Sequence, residues 1–155
     1  VSAETFTPRV LLFRGKGVIS SLIRWQTRSI YSHAAILTAP DELIESWQGS
    51  GVQRRTVKQV DLADVDQFEV DGMNDTMWAV AIAFMTKELG CGYDYASIAA
   101  FVTRRNAGSP TRWFCSELVF AAIAAAGVQL FRDTQAWEVS PGMLSKSPKL
   151  LDIPF

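Results

Sequence analysis

Trp113-Phe114-Cys115-Ser116-Glu117-Leu118-Val119-Phe120 opens an alanine-rich run that closes at Gly127. From Cys115 onward the apolar residues Leu118, Val119, Ala122, Ile123 and Ala126 recur at helical spacing, with Gly127 as a natural C-terminal stop. Cys115 therefore belongs in the first turn of a helix. A helix start carries unpaired amide donors and a partial positive charge, which favour a thiolate and can hold a developing oxyanion. A free thiol titrates near about 8.5, and a helix start with an imidazolium beside it lowers that by several units. The bland reading of the same residue is a buried thiol packing as a small hydrophobe.

The histidine count weighs toward the first reading, although His33 could also be a core histidine with its nitrogens satisfied by backbone. The chain has one, His33, inside Tyr31-Ser32-His33-Ala34-Ala35-Ile36-Leu37-Thr38, a short apolar run that reads as a buried strand. An imidazole is the side chain whose ordinary pKa suits general-base work near neutrality. A nucleophilic Cys115 must therefore take His33 as its partner.

Such a pair needs a third group to fix the ring's tautomer and orientation. Glu42-Leu43-Ile44-Glu45-Ser46-Trp47 reads as the next strand, reached through Ala39-Pro40-Asp41. A hairpin closed by that loop pairs Thr38 with Glu42, Ala35 with Glu45 and His33 with Trp47. Glu45 then shares a face with His33, one diagonal step away, whereas a slip of one residue would turn it to the other face. Glu45 is the expected orienting residue; Glu42 lies further along the same face, and Gln53 and Gln48 are the fallbacks.

The segments FRGKGVISSLIRWQTRSIYSHAAIL (13–37), LIES (43–46), GYDY (92–95), FCSELV (114–119) and SPGMLSKSP (140–148) together carry a resemblance. The chain resembles, over about residues 10–153, the circularly permuted branch of the papain-like NlpC superfamily. That branch includes bacterial YiiX-like and YycO-like hydrolases and is related to lecithin:retinol acyltransferases. YSHAAIL and FCSELV are the most specific parts. The histidine strand precedes the cysteine helix in that branch, as it does here. The resemblance implies a papain-like α+β domain, an antiparallel and partly barrelled sheet with the Cys115 helix on one face. By motif match it also implies Cys115 as nucleophile, His33 as base and Glu45 as the polar third member. Tyr93 is a candidate substrate contact because its segment approaches the active site in the resembled family; Tyr31 and Trp113 are the others. Trp113 either walls the pocket or anchors the helix.

Elsewhere, Val10 to Phe13 reads as a first strand, and Gly15-Lys16-Gly17 turns it into a helix with apolar Val18, Ile19, Leu22, Ile23 and Trp25. Arg24, Arg28 and Trp25 either line a cleft or face water. Val52 to Val57 alternates as a strand in which the Arg54-Arg55 pair is expected to face water. Asp61 to Asp66 is an acidic connection, and Gln67 to Val70 a further short strand. Asn74 or Asp75 caps a long helix with Met77, Trp78, Ala81, Ile82, Met85 and Leu89 at core spacing and Gly90 at its end. Gly92 to Tyr95 begins a helix over 96–104, with Asp94 as its cap, and 106–110 is a loop. Ser140-Pro141-Gly142 opens a short helical turn, and Leu150 to Ile153 is a terminal edge strand.

The 155 residues suit one domain with a single core. A net charge of −1 gives no reason to expect a nucleic-acid partner. No run reaches the length of a membrane span, and the first residues carry no signal-peptide pattern, although a chain lacking an initiating Met is consistent with a processed one. A catalytic Cys115 must stay free of Cys91, expected as a buried thiol, so the redox compartment is open. No metal or phosphate-binding pattern is present, and neither a metal nor a nucleotide cofactor is expected. The expected origin is bacterial or phage, with the domain in the cytoplasm or exported to the cell envelope.

Cys115, His33 and Glu45 imply a cysteine hydrolase acting on an amide, and the resemblance implies that the amide is in a peptide, in murein or in an amino-acid conjugate. One alternative keeps the triad but takes a lipid acyl ester or thioester, in an apolar groove lined by Trp25, Trp47 and Trp113. Another is a binding module that does no chemistry.

Overall fold

The computed structural model describes residues 5–15, 18–95 and 111–154. The turn at 16–17, the helix expected over 96–104 and the loop at 106–110 lie outside these residues. The fold is α+β. Six strands form one antiparallel sheet in the order β4-β3-β2-β1-β5-β8: β1 (Arg9–Phe13), β2 (His33–Ala39), β3 (Glu42–Trp47), β4 (Gly51–Thr56), β5 (Val65–Val70) and β8 (Leu150–Ile153). The terminal strand β8 pairs with β5 and ends the order opposite β4.

Period-2 alternation sorts the side chains of this sheet between two apolar layers. Val10, Leu12, Ile36, Ile44 and Val52 face the helices, while Leu11, Ala35 and Leu43 face the opposite layer, closed by Val65, Phe13 and Val60. Because both faces are covered, the strands read as near-continuous apolar runs. On the helical side lie α2 (Asp75–Lys87) and α3 (Cys115–Ala125), which pack on each other; α3 also packs on β2 and β3. Asn74 caps α2 by accepting from the Met77 amide at 2.9 Å. Trp78, Ala81 and Met85 form its buried stripe. Gly127, at φ +95°, ends the turn after α3 in a backbone conformation that glycine adopts without strain.

The β2–β3 ladder pairs Ala35 with Glu45, as the hairpin reading requires, and Ile36 with Ile44. It differs at the loop end, where Glu42 faces Ala39 across an irregularity between Leu37 and Ala39. Thr38 is displaced there and instead donates through its hydroxyl to Glu42 Oε1 at 2.9 Å.

Ahead of the expected helix, Gly92 and Tyr93 form β6, which pairs in parallel with β7 (Arg112–Trp113) and brings the segment before α3 beside the one after α2. Three further expectations are corrected. In α1 (Val18–Thr27), Ile23 is buried, whereas Leu22 and Trp25 point to solvent, Trp25 being 73% exposed. Arg54 and Arg55 do not share an aqueous environment: alternation sends Arg54 to Glu42 and Thr86, and Arg55 inward to Glu45. Cys91 is half-buried rather than buried; it is free, its thiol donates to Glu88 Oε2 at 3.3 Å, and burial beside that carboxylate pushes its pKa up. The last helix, α4 (Pro141–Leu144), is the short turn read from the sequence, capped by Ser140.

Candidate active site

Cys115 is the first residue of α3 and is buried with Phe114, Ile23 and Tyr93. The start of α3 is fastened on both sides. Ser46 Oγ in β3 donates to the Trp113 carbonyl at 2.6 Å, and Ser116 Oγ donates to the Val139 carbonyl at 2.6 Å. Glu117 reaches back to accept from the Phe114 amide at 3.2 Å, the return half of a capping box. Burial pushes the Glu117 carboxyl up to about 7, against the opposing pull of that amide.

His33, at the first position of β2, is hydrogen-bonded to Glu45 and lies close enough to Cys115 for the sulfur to act on its protonation. Nε2 lies 2.6 Å from Glu45 Oε2. With Nε2–H donated to the carboxylate, Nδ1 is the nitrogen left for the sulfur. The ring is held between Phe13, with centroids 5.1 Å apart, and Trp47, which stands nearly perpendicular to it at 5.0 Å. Burial alone would lower its pKa, but the charge and hydrogen bond of Cys115, followed by those of Glu45, raise it to about 9.

Glu45 is 1% exposed. Its second oxygen, Oε1, accepts from Arg55 Nη1 at 2.9 Å and from Gln53 Nε2 at 3.2 Å. Burial would push this carboxyl up; the bonds and charges of His33 and then Arg55 hold it below the usual carboxylate range.

An open cleft beside the imidazole is lined by Phe13, Ile23, Ser32, Trp47 and Tyr93, among others. Of the three expected substrate contacts, Tyr93 is on this lining. Tyr31 is turned away: its hydroxyl donates to Asp66 Oδ2 at 2.6 Å, and its ring packs edge-on against Phe68. Trp113 is an anchor, since its Nε1 donates to Glu88 Oε2 at 2.9 Å and its ring packs on Phe84. Trp25 and Trp113 are not on the cleft wall, so of the three tryptophans expected in an apolar groove only Trp47 is there. Gln53 does touch Glu45, as a supporting donor rather than as a replacement. Arg55 is the residue that the sequence reading missed. Its signal was present: once Glu45 faces Gln53, alternation along β4 brings Arg55 to the same face.

No protein-family model matches the chain, and no curated protein is similar to it. Among solved structures, the crystal structure of the metalloprotein yiiX from Escherichia coli O157:H7 superposes with a TM-score of 0.74, covering 96% of each chain at 16% identity. At that identity the likeness is one of fold, and it agrees with the YiiX-like part of the sequence resemblance. Among the described residues, no three His, Cys, Asp or Glu side chains are grouped so as to hold a metal ion. Nε2 of His33 and both oxygens of Glu45 are already committed to protein partners. Among the described residues, also, no helix is long and apolar enough to cross a membrane. The chain adopts a YiiX-like α+β fold.

Proposed function

We propose that this chain is a papain-like cysteine hydrolase of the permuted NlpC type, using Cys115, His33 and Glu45 to cleave an amide bond. The observation that carries the reading is the burial of His33 with Glu45 bonded to its Nε2 at 2.6 Å and Cys115 the strongest of the groups raising its pKa.

In this mechanism His33 takes the Cys115 proton through Nδ1 while Glu45 holds the opposite ring edge. The sulfur attacks the carbonyl carbon, and amide donors at the start of α3 stabilise the oxyanion. His33 returns the proton to the departing nitrogen, the C–N bond breaks, and a thioester remains on Cys115. Water then gives a proton to His33 and its oxygen to the acyl carbon, the C–S bond breaks, and His33 returns the proton to the sulfur as the acid leaves. The substrate classes consistent with the sequence resemblance are a peptide, a murein peptide and an amino-acid conjugate. A lipid acyl ester is the second reading, favoured by the apolar cleft walls Phe13, Ile23 and Trp47.

Murein fragments, peptides and phospholipids incubated with the wild-type and Cys115→Ala proteins test both readings. Release of an amine from one of the first two, lost by about a thousandfold or more on substitution, is the expected result. Release of fatty acid selects the second reading, and turnover that survives Cys115→Ala removes the mechanism.

A further inference from the structure

We propose that Arg55 is a positioning residue of this site, holding the second oxygen of Glu45 so that its charge is divided between two cations and His33 stays a usable base. The inference rests on the reading of His33 as the base and concerns how its basicity is set.

Glu45 lies on β3, between β2 and β4. It is bracketed diagonally: it faces Ala35 on one side and Gln53, which donates to it, on the other, and the charged side chains that bond it come from two residues away along each strand, His33 and Arg55. Each oxygen has its own charged neighbour, Oε2 with His33 and Oε1 with Arg55.

Arg55 makes two further contacts. Its Nη2 donates to the Gln59 carbonyl at 2.6 Å, and its guanidinium lies 5.1 Å from the centroid of Trp47, the ring that stands nearly perpendicular to His33. One side chain thus steadies two of the groups that contact the imidazole. A single anion shared by two cations stabilises each less than it would alone, and the two cations repel. Arg55 therefore restrains the rise in His33 basicity that an unshared carboxylate would produce. An imidazole pushed too high would hold its proton through the thioester step, which needs it as an acceptor.

Among the described residues, the other charged or titratable groups around this network are Cys115 and Tyr93 on the His33 side. On the Arg55 side they are Arg14, Asp61 and Asp64, which line a second cavity of about 250 Å³ with it. None is altered in the Arg55 variants themselves; Cys115 is replaced only in the separate background described last.

Because the chain has one histidine, its imidazole C–H resonances report one titration. Arg55→Met removes the cation and is expected to raise the His33 midpoint by about one pH unit. Arg55→Lys should return it to within about a third of a unit. Arg55→Gln, neutral but still able to donate to Glu45, should shift as Arg55→Met does and carries the test if that variant does not fold. Midpoints in the neutral variants that match wild type, or that fall below it, would overturn the proposal. Repeating the series in a Cys115→Ala background separates this claim from the hydrolase reading. The Arg55 effect on Glu45 and His33 persists there, whereas a wild-type midpoint that ignores Cys115→Ala would sink the thiol–imidazole pairing and leave Arg55 standing.

Discussion

His33 and Glu45 are not opposite one another in the ladder, yet Nε2 and Oε2 lie 2.6 Å apart. Glu45 faces Ala35, and the small Ala35 side chain leaves the diagonal open for the carboxylate to reach back along β2. Glu45→Gln keeps the shape and removes the charge, leaving Arg55 without its carboxylate. Breaking a buried ion pair in this way is expected to cost about 3 kcal/mol in urea unfolding. An unchanged midpoint would show that the carboxylate is not ionised in the folded protein.

The lone imidazole should titrate with a midpoint of about 9 in the wild-type protein. The thiol is the largest of the groups raising it, so Cys115→Ala should bring the midpoint down, and Glu45→Gln should lower it further. Titration by NMR decides this directly, and a wild-type midpoint at the ordinary value of about 6.5 would contradict the pairing.

The same shift sets a dependence of stability on pH. A histidine whose folded pKa lies above its unfolded value binds its proton more tightly when folded. Its contribution is complete below about pH 6.5 and is lost as the pH rises through about 9. Glu117, raised to about 7, loses its own contribution in a lower window, from about 4.5 upward. Urea midpoints should therefore fall between pH 7 and 9.5, and the fall should shrink in Cys115→Ala. An equal fall in both proteins would place its origin elsewhere.

Gly51 and Gly49 both have positive φ, +72° and +88°, but only Gly51 is crowded. A Cβ at Gly51 would sit 2.0 Å from the Cys91 carbonyl oxygen, which already accepts from the Val52 amide at 2.9 Å. Gly49→Ala meets open space and should cost about 1 kcal/mol of backbone strain, roughly 3 °C in melting temperature. Gly51→Ala must move a backbone carbonyl as well and should lose at least about twice that. Thermal melts that do not separate the two variants would mean that β4 and the Cys91 turn are not held together as described.

The sequence made the hairpin readable because a strand has period two: fixing Ala35 opposite Glu45 put the carboxylate and the imidazole on one face. The loop end was not readable, since the irregularity beside Thr38 depends on how its hydroxyl finds Glu42. Arg55 was passed over because adjacent arginines were read as one charge pair, although neighbours on a strand point oppositely and only one could reach Glu45. The face of α1 was misjudged for a related reason. Leu22 and Trp25 are apolar at helical spacing, but it is Ile23 that turns inward, against Tyr93, Phe114 and Cys115. Short parallel pairing of Gly92–Tyr93 with Arg112–Trp113 leaves no local signature, because it joins segments distant in the chain.

His33 enters the sheet 82 residues ahead of Cys115 (115 − 33), so the ribosome makes the imidazole and its carboxylate well before the helix that carries the sulfur. A nascent or truncated product ending before α3 carries the imidazole and its carboxylate but lacks the sulfur. Rapid labelling of Cys115 by an electrophile would thus mark molecules that have finished assembling, and a pulse of such a reagent during synthesis would time that moment.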